Sequence, residues 1–378
     1  MAPLMLALFA TACAPAVDPL EEVAAQGDFA VGYRNGSLTY RPEGEGADRT
    51  LPVEVWYPAE TGSNTAIYEV NGIVEKASAY AFDNATAAEG TFPVAIYSHG
   101  SGGLGLLAYP YAERLASHGW IVVAPDHVGN TSRDTLAGTE TSLLRNMLNR
   151  PADVTAALDT LEDGTFAVGT PDLERVLLFG HSFGAWTTLA TAGGNLDLSE
   201  WASGCENSSE PDCTLLADPE VRARLETDHT DARIDVIAPQ APAFSAQFAT
   251  DTLANLGKPT LLMSGELDVT TPHATEAVPT WDSLAHPDDH WINLPSGGHY
   301  SFITVCDDVG IDLITAFDPS VLDDGCGPEA PAPTEIVGHL ATYLLAFAGG
   351  HLDDRTDWLE VLERPLSADV ALQARGNP

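Results

Sequence analysis

The sequence predicts an α/β chain: a mostly parallel central sheet with helices on both faces and an antiparallel portion at its N-terminal side. Three observations carry that expectation. From about residue 94 onward, short apolar runs alternate with amphipathic stretches, the pattern of parallel strands covered on both faces. Before them, residues 28–41 and 51–57 alternate apolar and polar around Pro42-Glu43-Gly44-Glu45-Gly46, as antiparallel strands do. Finally, Gly180-His181-Ser182-Phe183-Gly184 stands between the β-like run Arg175–Phe179 and the helix-like run Ala185–Ala190. That context places a serine on a sharp strand-to-helix turn, with a helix N-terminus beneath its hydroxyl.

The elements follow in order. Strands are expected at 94–98, 120–124, 175–179, 234–238, 259–263 and 291–294. Helices are expected at 106–118, 151–163, about 183–192 and 334–348. Pro151 suits a first helical turn, and Thr334 is a plausible N-cap. Residues 60–92, polar and Ala-rich, read as an insertion with a short helix. Residues 194–231 read as an irregular insertion after the serine helix. The expected organisation is an export signal and tether at 1–26, an α/β domain at 27–349, and a C-terminal extension at 350–378.

Composition narrows the function. The 378 residues are 44% hydrophobic with 33 Gly and 26 Pro, a globular and loop-rich balance. Acidic residues number 55 against 16 basic ones, for a net charge of −39. Phosphate contacts need a basic face, so nucleic-acid binding is not expected. Strongly anionic lipid surfaces are disfavoured for the same reason. The charge suits solubility, or a salty medium that screens self-repulsion.

The apolar run Met1–Ala12 is too short to span a bilayer and ends in small residues, as at an export cleavage site. Cys13 follows Ala10-Thr11-Ala12, resembling a bacterial lipobox, although no cation precedes the run and Ala10 replaces the preferred leucine. The protein is therefore expected outside the cytoplasm, as a periplasmic or cell-surface lipoprotein tethered at Cys13 or as a secreted protein. A lipid on Cys13 would be its one membrane contact. The other cysteines agree: Cys205 lies close to Cys213, and Cys306 to Cys326. Of the three possible connectivities, these two local disulfides are expected in an oxidising compartment. No C-x-x-C spacing occurs, so neither a metal site nor a cofactor is expected.

A serine hydroxyl is a poor nucleophile until a base takes its proton, and that base needs a third group to orient it. In the chain order serine, acid, histidine, the acid follows a later strand and the histidine the last one. Strand 259–263 leads to Asp268, and strand 291–294 leads to His299 on Pro295-Ser296-Gly297-Gly298. Ser182 is thus the expected nucleophile, His299 the general acid/base and Asp268 the orienting carboxylate. Glu266 is a rival acid. His286 and His290 flank the wrong end of their strand, and His273 comes one strand early. The oxyanion needs two aimed N–H groups. One is expected from Phe183 and the other from Ser101, with Gly102 as fallback, in Ser98-His99-Gly100-Ser101-Gly102-Gly103. That loop lacks both a Walker-A lysine and G-x-G-x-x-G spacing, so it does not read as a nucleotide cradle.

These segments, with Leu115–His127, Val128–Ser132, Arg150–Val154, Asp231–Ile234 and Gly298–Phe302, resemble the α/β-hydrolase superfamily. Within it the chain is similar to predicted dienelactone hydrolases related to plasma-type platelet-activating-factor acetylhydrolases. The resemblance spans roughly residues 50–310. It implies the α/β-hydrolase fold and a metal-independent serine carboxylic-ester hydrolase working through an acyl-enzyme. Short-acyl or phospholipid-like esters are the implied substrates. A lipase or polyester hydrolase is the alternative, and a silent exported binding protein a more distant one. Serine stands where true dienelactone hydrolases use cysteine, and Ala185 replaces a second glycine after the motif. Arg150 and Asp153 are expected to form an ion pair or a capped helix start, and Asp126 and His127 to be structural. Phe183 and Trp186 either line an acyl pocket or pack the helix.

Overall fold

The computed structural model describes residues 17–205 and 208–376; Cys13 and the rest of the expected signal segment lie outside them. Eleven strands form one sheet: β1 (Ala30–Tyr40), β2 (Arg49–Ala59), β3 (Thr65–Val70), β4 (Val74–Asp83), β5 (Thr91–Ser98), β6 (Ile121–Pro125), β7 (Thr170–His181), β8 (Val236–Gln240), β9 (Leu261–Gly265), β10 (His290–Leu294) and β11 (Ala371–Ala374). Their order is β11-β10-β9-β8-β7-β5-β6-β2-β1-β4-β3. From β6 through β10 the neighbours are parallel, while β2 meets both β1 and β6 antiparallel.

Strand periodicity sorts side chains to two faces. Ala95, Tyr97, Leu177 and Phe179 face the helices Tyr109–Ser117 and Pro333–Leu352. Val94, Ile96, Val176 and Leu178 face Leu143–Glu162 and Phe183–Ala192. Each fully buried aliphatic or aromatic side chain contributes roughly 1.5–3 kcal/mol. The chain goes from β5 to β6 on one side and then crosses to β7 on the other. The loops leaving β5 and β7 therefore diverge across a switch point, where ligands of open α/β sheets bind.

Four elements differ from the sequence expectation. Residues 60–92 contain the hairpin β3–β4 instead of a short helix. In its three-residue loop, Asn71 and Gly72 both take positive φ, 55° and 67°, at the centre of a turn closed by Ile73 N–H on Val70 O at 3.0 Å, as a twist-matched hairpin turn requires. The helix expected at 151–163 begins at Leu143, capped by Ser142, and carries Pro151 inside it. An internal proline costs about 3 kcal/mol, but the two added turns bury Leu144, Met147 and Leu148, which outweighs it. Among the described residues of 194–231 lie three short helices, Ser199–Gly204, Pro211–Leu216 and Pro219–Leu225. They pack through Leu216 and Leu225 on the layer of helix Leu143–Glu162. The last helix begins at Pro333 with Ala332 as N-cap; Thr334 instead gives its N–H and hydroxyl to Asp307.

Within the expected C-terminal extension, residues 350–376 take part in the fold. Trp358, Val361 and Leu362 pack on the core, and β11 pairs antiparallel with β10. Both expected disulfides, Cys205–Cys213 and Cys306–Cys326, are present. Among the described residues, no helix is long and apolar enough to cross a membrane.

Candidate active site

Ser182 is the single residue between β7 and helix Phe183–Ala192, with φ 57° and ψ −119°. A non-glycine residue there costs of order 1–3 kcal/mol and persists only where its surroundings enforce it. They do so here: Ser182 N–H donates to Gln240 O at 2.8 Å, and Ser182 O accepts from Ala185 N–H at 2.9 Å. The flanking glycines are steric necessities, since a Cβ on Gly184 would sit 1.8 Å from Ser98 O. Helix and β5 therefore touch only because position 184 has no side chain. Two further strained residues, Ala241 (φ 46°) and Phe244 (φ 59°), lie in the neighbouring loop after β8.

Asp268 and His299 meet as expected. The buried Asp268 Oδ2 lies 2.9 Å from His299 Nδ1. Thr271 donates its N–H to Asp268 Oδ1 at 2.6 Å and its hydroxyl to Oδ2 at 2.7 Å. An ionised carboxylate only accepts, so His299 carries its proton on Nδ1 and leaves the Nε2 lone pair free to act as a base. Glu266 is exposed and takes Asn293 Nδ2 at 2.6 Å, away from His299. His273 stacks on Trp291.

Two residues that sequence reasoning left unassigned hold this pair. His181, immediately before the serine, has its ring centroid 4.6 Å from that of His299 and donates from Nε2 to His299 O at 2.9 Å. Burial, and then the neighbouring His299, holds its pKa well below the ordinary histidine range, so the ring stays neutral. Asp324, also buried, accepts from the N–H groups of His299 at 2.8 Å and Val269 at 3.0 Å. Its other oxygen accepts the Thr270 hydroxyl at 2.7 Å. His181 lies inside the Gly180–Gly184 motif, which could have drawn attention to it; no local pattern marks Asp324.

The loop after β5 lies against the serine, where a Cβ on Gly100 would be 3.2 Å from Ser182 Cβ. Its Gly102 N–H donates to Asn130 O at 3.0 Å, which takes the fallback oxyanion donor out of play. Ser101 is exposed, and among the described residues its N–H has no acceptor. Phe183 N–H opens a helix, where the first N–H groups have no intrahelical partner.

Behind this loop lies a second serine–histidine–aspartate chain. Ser98 Oγ is 2.8 Å from His127 Nε2, and His127 Nδ1 is 2.9 Å from Asp153 Oδ2. All three residues are 0% exposed. Asp153 also takes both donors of Arg49 and the Tyr40 hydroxyl. Burial alone would push its carboxyl up, but the Arg49 and His127 hydrogen bonds outweigh that and hold it below the usual range. Burial, then the charge of Arg150, brings His127 down to about 4. The expected Arg150–Asp153 ion pair and helix cap are both absent: Asp153 pairs with Arg49, and Arg150 turns to the loop. Asp126 is structural too, accepting Gly105 N–H at 2.7 Å and pairing with Arg133.

A ferulic acid esterase from Streptomyces cinnamoneus superposes with a TM-score of 0.66, over 93% of this chain and 98% of that one, at 21% identity. The chain has the α/β-hydrolase fold. Residues 76–202 match the Chlorophyllase family model, a stretch running from β4 past the serine helix. No curated protein matches the sequence. In this α/β-hydrolase fold, Ser182, Asp268 and His299 follow β7, β9 and β10 at the carboxyl ends of the parallel strands, where such sites form.

Proposed function

We propose that the protein is an exported serine carboxylic-ester hydrolase, with Ser182 as nucleophile, His299 as general acid/base and Asp268 orienting the imidazole. The observation that carries this reading is the buried Asp268–His299 hydrogen bond beside a strained serine elbow. Ser182 Oγ attacks the ester carbonyl while His299 Nε2 takes its proton. The tetrahedral oxyanion is received by the N–H groups of Phe183 and Ser101. Collapse expels the alcohol, protonated by His299, and leaves the acyl-serine. Water then attacks with His299 again as base, releasing the acid and restoring the serine.

The name of the similar solved structure, an esterase, supports ester hydrolysis. The motif resemblance to dienelactone hydrolases and platelet-activating-factor acetylhydrolases points to short-acyl or phospholipid-like esters. Both disulfides support an oxidising compartment, and Cys13 is the proposed lipid site within export.

The test is Ser182→Ala on p-nitrophenyl esters of increasing acyl length, with organophosphonate labelling followed by mass spectrometry. Turnover and label should both vanish while the fold is kept. Unaltered turnover would remove Ser182 from the mechanism. The mass of the mature N-terminus shows whether Cys13 carries a diacylglyceryl group.

A further inference from the structure

Arg150 is fully buried and lies beneath the loop that bears Ser101. Its Nη1 donates to His99 O at 2.7 Å, and its Nη2 to Asn130 Oδ1 at 2.6 Å. Longer contacts of 3.4 Å reach Ser98 Oγ and Gly100 O. The guanidinium carbon is 4.3 Å from the centre of the Phe183 ring. Among the described residues it makes no ion pair, and its Nε has no acceptor. Burial brings its pKa down to about 9, so the guanidinium is still charged at neutral pH, and a buried charge without a paired counter-ion is expensive. Here carbonyl, amide and hydroxyl dipoles and an aromatic face compensate it directly, and the Asp153 charge acts on it from beyond ion-pair distance.

The contacts bear on both oxyanion donors. In a trans peptide the carbonyl and the N–H point in opposite directions. Gly100 O accepts from Gly103 N–H at 3.0 Å and His99 Nδ1 at 2.7 Å, and meets Arg150 on the buried side. His127 N–H donates to His99 Nε2 at 2.9 Å, which places the His99 proton on Nδ1, facing Gly100 O. The N–H of Ser101, in that same peptide, therefore points to the open side. Asn130, gripped by Arg150, gives Nδ2 to Ser101 Oγ at 3.0 Å and takes Gly102 N–H on its carbonyl. On the other flank, the Phe183 ring rests on the same guanidinium.

We propose that Arg150 is the positioning residue of the oxyanion site. It fixes the Ser101 loop through His99 O and Asn130, and the first residue of the serine helix through the Phe183 ring. It also puts a full positive charge behind both donors, where negative charge develops in the transition state. The proposal rests on Ser182 being the nucleophile.

The test uses Arg150→Lys, Arg150→Met and Asn130→Ala, the last cutting the link from Arg150 to Ser101 while His99 O still accepts from the guanidinium. Measured are kcat and KM on a short-acyl p-nitrophenyl ester, the rate of organophosphonate labelling, the pH–rate profile and the melting temperature. In the folded variants, kcat should fall about 10- to 100-fold with KM within about twofold. Labelling, which builds a similar charged oxygen, should slow in parallel, and the pH profile should keep its shape. Wild-type kcat in folded Arg150→Lys and Asn130→Ala overturns the proposal. So does a rise in KM at constant kcat, since that marks a substrate contact. If the Arg150 variants do not fold, Asn130→Ala decides on the same readouts. Persistent turnover in Ser182→Ala would instead reject the nucleophile assignment, a separate and distinguishable failure.

Discussion

Asp324 Oδ1 accepts the backbone N–H of His299 at 2.8 Å. The same carboxylate holds Val269 and Thr270, so one side chain ties the loop bearing His299 to the loop bearing Asp268. Asp324→Asn would turn an amide NH2 toward groups that now donate to it. We predict a fall in kcat of about tenfold or more with the fold retained, checked by steady-state kinetics beside circular dichroism. A wild-type rate would show that the two loops hold themselves.

The Cys306–Cys326 bridge closes a ring that includes Asp324. Chain entropy predicts roughly 2–3 kcal/mol of destabilisation on removing either disulfide, so melting alone does not distinguish them. Activity does. Cys306→Ser/Cys326→Ser should lose turnover at temperatures where it is still folded, whereas Cys205→Ser/Cys213→Ser should keep it. Equal activity in the two double variants would sink this account.

Glu54 is buried and takes the Tyr33 hydroxyl at 2.6 Å. Burial pushes its carboxyl up to about 7, and the nearby Asp126 charge adds to this against the pull of Tyr33 and Arg133. With the folded value raised, its contribution is full below the unfolded value near 4.5 and is lost as pH rises through about 7. Glu54→Gln should therefore be more stable than wild type at pH 8, by about 1–3 kcal/mol. The gap should close near pH 4.5. Urea midpoints at the two pH values test it; a gap that persists in acid points to packing instead.

The net charge of −39 predicts a salt response. Several of the few cations are turned inward, as with Arg49 on Asp153 and Arg150 on the loop carbonyls. The surface is left strongly anionic, so added salt should raise the melting temperature by screening repulsion. A melting temperature that falls between 0.05 and 1 M sodium chloride, concentrations of about that order spanning the screening range, would contradict it.

Much of the fold was legible because its signals are local. Apolar runs placed β5 to β10 within a few residues, and strand-end position picked out Asp268 and His299, whose side chains the structure brings to 2.9 Å. The β3–β4 hairpin also had a local signal, Asn71-Gly72, which the Ala-rich stretch around it obscured. Pro151 misled because a helix packed along its length tolerates a missing hydrogen bond. Asp324 had no readable signal, and Arg150, though part of a motif, was expected to pair with Asp153 and not to grip the loop. Each acts on backbone groups of distant segments, and a carbonyl or N–H has no letter in the sequence.

Ser98, His127 and Asp153 repeat the residue types of the proposed triad and its histidine–carboxylate hydrogen bond, sealed from solvent and without backbone strain at the serine. The hydrogen-bonded chain from serine through histidine to aspartate is complete in this buried set. What separates an engine from a strut is therefore not which three groups meet, but whether a substrate can reach them and the turn beneath is loaded.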